Sequence, residues 1–376
     1  MKKSVFFLIA SAGFVLSFNV IACSALIPSI AAAFGVNEFF VGKIVWLYML
    51  PYGLMALFYA PLSRSLDCKK ILSFSLAVLC LANLFSGLAS NLYLLFAARV
   101  LAGMSGAAIV PLSLILIAKT SLPQERGKRV GWFFSITFVA TLLGLFLSGL
   151  LFWRWIFLIP AIGAALVCAS VCFYFPNFLP VEEKVKFNYF QVLSEKKVFR
   201  LFVYIFLMSF LYHGVRQWLG VYFSKVYGFE QFWVSMLLTT VTLGGIFGES
   251  LGGILSDRAG IGRIRVVNAG MALMLFVLLI LLFKNALFAL FTVMFIWGLG
   301  WTFNHSGIST ILTDLPHRHL YESAGLNSSV RFLSGGLGMV VGGILVRRSF
   351  NLEFAIFAFC LFLLIIFRKK LVIKEA

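Results

Sequence analysis

Six ionisable side chains stand inside stretches of sequence that are otherwise apolar: Arg99, His213, Arg216, Glu249, His305 and Arg331. A charge in an apolar interior is costly, so such groups face one another or a water-filled cavity and mark ion or solute paths. Three of them share a depth. Glu249 lies eight residues before Asp257, His305 nine before Asp314 and Arg331 nine after Glu322. At about 1.5 Å per helical residue, all three sit roughly 12 to 14 Å from the nearest polar break. If the helices that carry them face one another, Glu249, His305 and Arg331 form one polar cluster with Asn304 and Asn327 beside it. Desolvation and a neighbouring guanidinium act on a carboxyl's proton affinity in opposite senses, which makes Glu249 a candidate proton carrier. The alternative is a structural Glu249–Arg331 ion pair that never titrates.

A second polar group falls in "YHGVRQW", Tyr212 to Trp218. Here His213, Arg216 and Gln217 line a cavity, or Arg216 snorkels to a membrane interface. The four histidines are scattered and no nucleophile stands by a base, which argues against an enzyme. No zinc-type spacing occurs. The glycine runs Gly298 to Trp301 and Ser334 to Gly338 follow no strand, so they are not nucleotide loops; they serve close helix packing. No cofactor is implied.

The elements that must position these groups follow from composition. The 376 residues are 62% hydrophobic and 12% charged, against about a quarter charged in soluble domains. The apolar matter falls into about twelve runs, each long enough to cross a hydrocarbon core of about 30 Å as a helix. They begin near Val5, Phe39, Ile71, Leu92, Val130, Trp155, Phe199, Phe232, Ile264, Ala286, Ser323 and Leu352. The alternation of barrel strands is absent. The expected class is an all-α membrane protein, multi-pass and embedded in the lipid bilayer.

The formal charge of +18 sits in the breaks rather than on one soluble face, which excludes a nucleic-acid partner. With both termini cytoplasmic, the loops and tails on that side hold twenty-two Lys and Arg against six opposite. The positive-inside rule then fixes the orientation, in the inner membrane of the cell. The start, ending in Val-Ile-Ala-Cys at Cys23, also resembles a lipoprotein cleavage box; cleavage there would leave an odd number of helices. Of six cysteines, five fall within helices and Cys68 in a cytoplasmic loop, so no exported pair is available to oxidise.

The longest break, Pro176 to Val198, splits the helices six and six, giving an N-terminal bundle over 1–176, an interbundle loop over 177–198 and a C-terminal bundle over 199–376. The loop lies along the cytoplasmic interface or is a mobile linker. The halves are related. Gly144 and Gly149 follow Gly131 by 13 and 18 residues, and Gly338 and Gly343 follow Gly325 by the same intervals, at an offset of 194. At an offset of 193, "APLSRSLD" from Ala60 falls on "GILSDRAG" from Gly253. A parallel repeat of six helices is a transporter architecture with its site between the halves.

These motifs resemble the major facilitator superfamily, and within it the twelve-helix drug:proton antiporters and related effluxers. Gly253, Asp257, Arg258 and Gly260 are similar to its signature loop, Arg99 and Gly103 in "RVLAGMSGAAIVP" to its fourth-helix motif, and "WRWIFLIP", Trp153 to Pro160, to the entry of its sixth helix. The resemblance implies a latch in which the loop grips helix 5 near Arg126 and Arg129 while the cytoplasmic side is shut. The acid there would face a positively polarised helix N-terminus. A plain topogenic turn is the alternative. It implies too that Arg99 holds backbone or helix 1 groups such as Asn19.

Two departures bear on function. Arg64 stands where the family has Asp, and Asp67 where it has Gly. Asn19 stands where related antiporters can carry Asp. A swapped pair is expected in which Arg64 meets Glu322; a solvated Glu322 is the alternative. The candidate solute contacts are Asn19, Arg99, His213, Arg216, Gln217, Trp301, Asn304 and Asn327. The expected function is a secondary transporter, acting as a monomer, that moves a small organic solute by alternating access, with proton-coupled efflux as its direction. An organic-anion or metabolite carrier without proton coupling, and a non-transporting sensor on the same fold, are the other readings. Three buried arginines against one buried acid favour an anionic or zwitterionic solute, whereas the drug-export resemblance favours lipophilic compounds.

Overall fold

The computed structural model describes residues 3–178, 189–257, 262–313 and 320–368. Among them there is no strand, and twelve helices are long and apolar enough to cross a membrane. In order these are Ser4–Ala25, Glu38–Ser65, Cys68–Gly87, Leu92–Thr120, Lys128–Ser148 and Trp155–Tyr174, then Lys196–Tyr227, Gln231–Ser256, Gly262–Leu281, Leu287–Ser309, Gly325–Val346 and Phe350–Phe367. They are called spans 1 to 12 below. Their apolar side chains run around the whole circumference, as suits helices that face lipid on one side and other helices on the rest. Phe173, Phe288 and Leu166 illustrate the outward face, each largely exposed.

Local signals start several spans. Asn37, Asp67, Asn91 and Ser349 each accept a hydrogen bond from a backbone N–H at the helix start, satisfying donors that have no partner within the helix. Asp67, which replaces the family's glycine, is therefore the cap of span 3, and it also accepts from the Phe178 N–H at 3.0 Å. Arg154 in the sixth-span entry donates to the Gly87 and Ala89 carbonyls, both at 2.9 Å, where span 3 ends. Four spans are interrupted: span 1 at Ile21, span 2 at Gly42, span 4 at Ala107 and Ala108, and span 7 at Gln217 and Trp218.

Packing repeats between the halves. In the first, span 1 packs on 5 and 6, span 2 on 4, and span 3 on 4 and 6. In the second, span 7 packs on 11 and 12, span 8 on 10, and span 9 on 10 and 12. Each pair in one half thus has its counterpart six spans later. Between the halves, span 2 packs on 11 and span 5 on 8, and these two pairings also exchange under the repeat.

Glycines set the closest crossings, and they too are duplicated. A Cβ on Gly144 would fall into the Phe18 carbonyl of span 1, and one on Gly338 into the Phe210 carbonyl of span 7. Gly103 against Tyr48 and Gly298 against Val241 form the second such pair. Backbones that approach this closely exclude any side chain, which is how membrane helices gain packing without a hydrophobic driving force. Of the glycine repeat seen in the sequence, Gly144 and Gly338 are thus matching contact points within the two bundles.

Gly131 is the matching control, because a Cβ there meets nothing within 4 Å. Gly144→Val should destabilise the protein by roughly 3 kcal/mol or more through overpacking, while Gly131→Val should change stability by about 0.5 kcal/mol at most. Thermal unfolding in detergent, with the monodisperse fraction from size exclusion, measures both.

Candidate functional site

A cavity of about 170 Å³ lies between the halves, walled by spans 1, 5, 7, 8 and 10. Its polar wall is built by Glu249 from span 8, His305 from span 10, and His213 and Arg216 from span 7. Its aromatic wall is Tyr212 and Trp301, whose rings stack at 4.0 Å with an interplanar angle of 7°. The interruption of span 1 at Ile21 and that of span 7 just after Arg216 both border it. Helices broken at mid-membrane are tolerated where the freed backbone lines a cavity or is buried in protein.

The Nδ1 of His305 lies 3.2 Å from both oxygens of Glu249. The two side chains remain 32% and 31% exposed, so the pair is reachable from the cavity. Arg331 stands within electrostatic reach of Glu249 but makes no direct bond to it: its Nε donates to Asn327 Oδ1 at 2.8 Å, one turn back on the same helix. The expected Glu249–Arg331 pair is thereby corrected. A partner at i−4 is within reach without any displacement of helices, and Glu249 is held by the imidazole instead. Asn304 also points away, donating to the Tyr204 hydroxyl inside the second half.

The first-half candidates are structural in the same sense. Asn19 Nδ2 donates to Asn83 Oδ1 at 2.6 Å, and Asn83 donates to the Leu79 carbonyl at 3.0 Å. Arg99 Nε donates to the Ile44 carbonyl at 3.2 Å, and its guanidinium lies over the rings of Tyr48 and Phe157 at 4.5 and 5.7 Å. Arg99 thus holds backbone of span 2, not Asn19. Gln217 donates to His213 Nδ1 at 3.4 Å. Of the eight expected solute contacts, His213, Arg216 and Trp301 line the cavity; Asn19, Arg99, Gln217, Asn304 and Asn327 do not.

A Major Facilitator Superfamily model matches residues 9–342. The chain belongs to this superfamily. It is 26% identical over 340 residues to the uncharacterized MFS-type transporter YwfA of Bacillus subtilis, covering 84% of this chain and 80% of the relative. It is 23% identical over 362 residues to Multidrug resistance protein 3 of the same organism, covering 78% and 70%. Among solved structures, a bacterial homolog of the human lysosomal transporter Spinster superposes with a TM-score of 0.78 at 14% identity, covering 96% of this chain and 95% of the other.

In this facilitator the two halves are tied at both ends. At the end where spans 2 and 11 carry the polar breaks, Arg64 Nη2 meets Glu322 Oε1 at 3.0 Å. Glu322 is only 2% exposed, with its other oxygen free of a hydrogen-bond partner. Tyr189, in the short helix Tyr189–Ser194, donates to the Leu57 carbonyl of span 2 at 2.6 Å and stands against Gly325 of span 11. Burial, and next the Glu322 carboxylate, push its phenol above the ordinary value. At the same end Arg126 donates to the Ser121 carbonyl at 3.4 Å and Arg129 pairs with Glu125 at 2.7 Å. Gly253 sits near Ser306 and Asp257 ends its helix; Arg258 and Gly260 of the expected latch lie outside the described residues.

The opposite end carries a seam that the sequence reading missed. Lys225 of span 7 pairs with Glu38 of span 2 at 2.9 Å. Gln231 of span 8 accepts from Ser29 Oγ at 2.5 Å, donates to the Ala25 carbonyl at 3.0 Å and to Ser235 Oγ at 2.9 Å. The Ser148 and Ser235 hydroxyls lie 2.9 Å apart. A second omission is Glu353, 0% exposed, with neither carboxyl oxygen hydrogen-bonded. Together with Glu322 it corrects the count of one buried acid. Its place in the first turn of span 12 made it look interfacial.

Removing either partner of a largely buried ion pair leaves an uncompensated charge. Arg64→Ala and Glu322→Ala should each destabilise, and the double variant should be less unstable than the sum by about 1–3 kcal/mol. Thermal unfolding of the four proteins in the cycle reads this coupling directly.

Proposed function

We propose that this facilitator is a secondary transporter that moves a small organic solute through the central cavity by alternating access, coupled to protons held by Glu249 and His305. The observation that carries the reading is the Glu249–His305 pair itself: a carboxylate and an imidazole at 3.2 Å, a third exposed, on the wall of a cavity between two helix bundles. A carboxylate shared with an imidazole gains or loses a proton with little rearrangement, and the change of charge is felt across a low-dielectric cavity. Proton occupancy thus biases which end of the cavity is open.

The two end seams are the gates in this reading. Arg64–Glu322 and Tyr189 close one end, Lys225–Glu38 and the Gln231 network the other, and each must part when its end opens. The signature loop with Gly253, Asp257, Arg258 and Gly260 acts with Arg126 and Arg129 as a further latch beside the first gate. The excess of Lys and Arg on the terminal side supports a reading with both termini in the cytoplasm and the chain in an inner membrane. Export as the direction is supported by the likeness to a relative named as a multidrug resistance protein.

The test uses membrane vesicles energised with a pH gradient that a fluorescent dye reports, with a panel of organic anions, lipophilic cations and neutral sugars added in turn. At least one solute should dissipate part of the gradient with wild type. Glu249→Gln, a near-isosteric change, should abolish that response in protein that remains folded. A folded Glu249→Gln variant that still dissipates the gradient refutes the proton assignment, and a panel that never moves protons refutes coupled transport of these classes.

A further inference from the structure

We infer that the cavity takes a small organic monoanion of the carboxylate class, anchored by Arg216 and packed against Trp301; this rests on the central cavity being the solute site. Arg216 is the only one of the three membrane-embedded arginines on the cavity wall. Arg99 donates to the Ile44 carbonyl under two aromatic faces and Arg331 donates to Asn327, and although each keeps at least one guanidinium nitrogen without a partner, neither lines the cavity. Arg216 is thus the one buried arginine that can meet a solute in the cavity.

Arg216 is 2% exposed, and its Nη1 has no hydrogen-bond partner. Among the described residues no carboxylate lies within ion-pair distance of it. The Tyr212 hydroxyl is its hydrogen-bonding neighbour, a neutral group that cannot cancel its charge. The acid on the same wall, Glu249, is already held by His305 through both oxygens. His213 is engaged with Gln217. Arg216 is thus a buried cation on the cavity wall with an unfilled donor and no described carboxylate at ion-pair distance, and a desolvated cation without a counter-ion is costly.

Shape narrows the class. A guanidinium presents a planar fork that matches a carboxylate through two parallel hydrogen bonds. Beside it Tyr212 is stacked between Trp301 at 4.0 Å and Trp297 at 5.5 Å, which fixes Trp301 as a rigid wall. A planar apolar body fits against such a wall. The cavity of about 170 Å³ is smaller than the roughly 300–1,000 Å³ of pockets for drug-sized ligands, so a single-ring or short-chain acid is indicated. A zwitterion would have to share Glu249 with His305 to hold its ammonium.

The experiment is calorimetric binding to the purified full chain of four probes of nearly one shape: benzoate, its neutral amide benzamide, the cation benzylammonium, and zwitterionic phenylalanine. Benzoate should bind, with the other three at least about tenfold weaker, a difference of 1.4 kcal/mol. Arg216→Gln should weaken benzoate roughly tenfold or more, while Arg348→Gln, an exposed arginine at the far end of span 11, should leave it unchanged. Equal or tighter binding of benzamide, benzylammonium or phenylalanine overturns the inference, as does an Arg216→Gln protein that keeps benzoate affinity. Should Arg216→Gln not fold, the wild-type ranking of the probes still decides. Binding is read without any proton movement, so this result stands apart from the Glu249 vesicle experiment.

Discussion

A charged group in a hydrocarbon layer must find its partner within the protein, and nearly every ionisable side chain in the twelve spans is placed by that constraint. Arg99 reaches a backbone carbonyl and two ring faces and Arg331 an amide on its own helix, each with at least one guanidinium nitrogen left over, and Glu249 meets an imidazole across a helix pair. Arg64 and Glu322 satisfy each other across the two halves. Partners within one half stabilise a bundle, whereas partners across the interface stabilise one arrangement of the bundles relative to each other. The location of each pair therefore decides whether it is architecture or switch.

The bundles themselves are held by contacts that do not adjust. Gly144 on Phe18 and Gly338 on Phe210 are backbone-to-backbone approaches, and packed elements of this kind move as units rather than deform. Across the interface the halves also meet at glycines, Gly53 on the Leu333 backbone and Gly220 on the Ser24 carbonyl, while the ties at the two ends are side chains: an ion pair at each end, a phenol at one and an amide–hydroxyl chain at the other. Such bonds are individually modest and exchangeable for water, so rigid halves joined by polar seams are suited to rocking about a central cavity. Glu353 and Arg216 stand outside the pairing rule: Glu353 is wedged against Gly342 with no hydrogen bond, and Arg216 keeps an unfilled donor with no described carboxylate beside it.

Much of this was legible in the sequence because it depends on length, period and spacing. The twelve spans follow from apolar run lengths, and the repeat from glycine intervals that the helix crossings use. The meeting of Arg64 with Glu322 followed from a charge swap at the same register in related loops. The Glu249–His305 approach followed from equal depth. What failed was the choice among partners at one depth. Equal depth allowed Arg331 to reach Glu249, yet a partner four residues away on the same face was nearer. Asn19 was paired with Arg99 on family grounds, while Asn83, a lone amide in an apolar helix, was the polar group opposite it. The Gln231 seam was missed because it sits at span ends, where polar residues are common and carry no signal.

The claim on which the rest turns is that the proton on Glu249 sets the relation between the halves. Spin labels at Trp132 of span 5 and Leu251 of span 8, both exposed near the terminal-side ends of facing helices, report that relation as a distance distribution. The account predicts two populations whose ratio shifts with pH in the wild-type background and stays fixed when Glu249 is Gln. A distribution that does not respond to pH, or that responds equally without the Glu249 carboxylate, would contradict it.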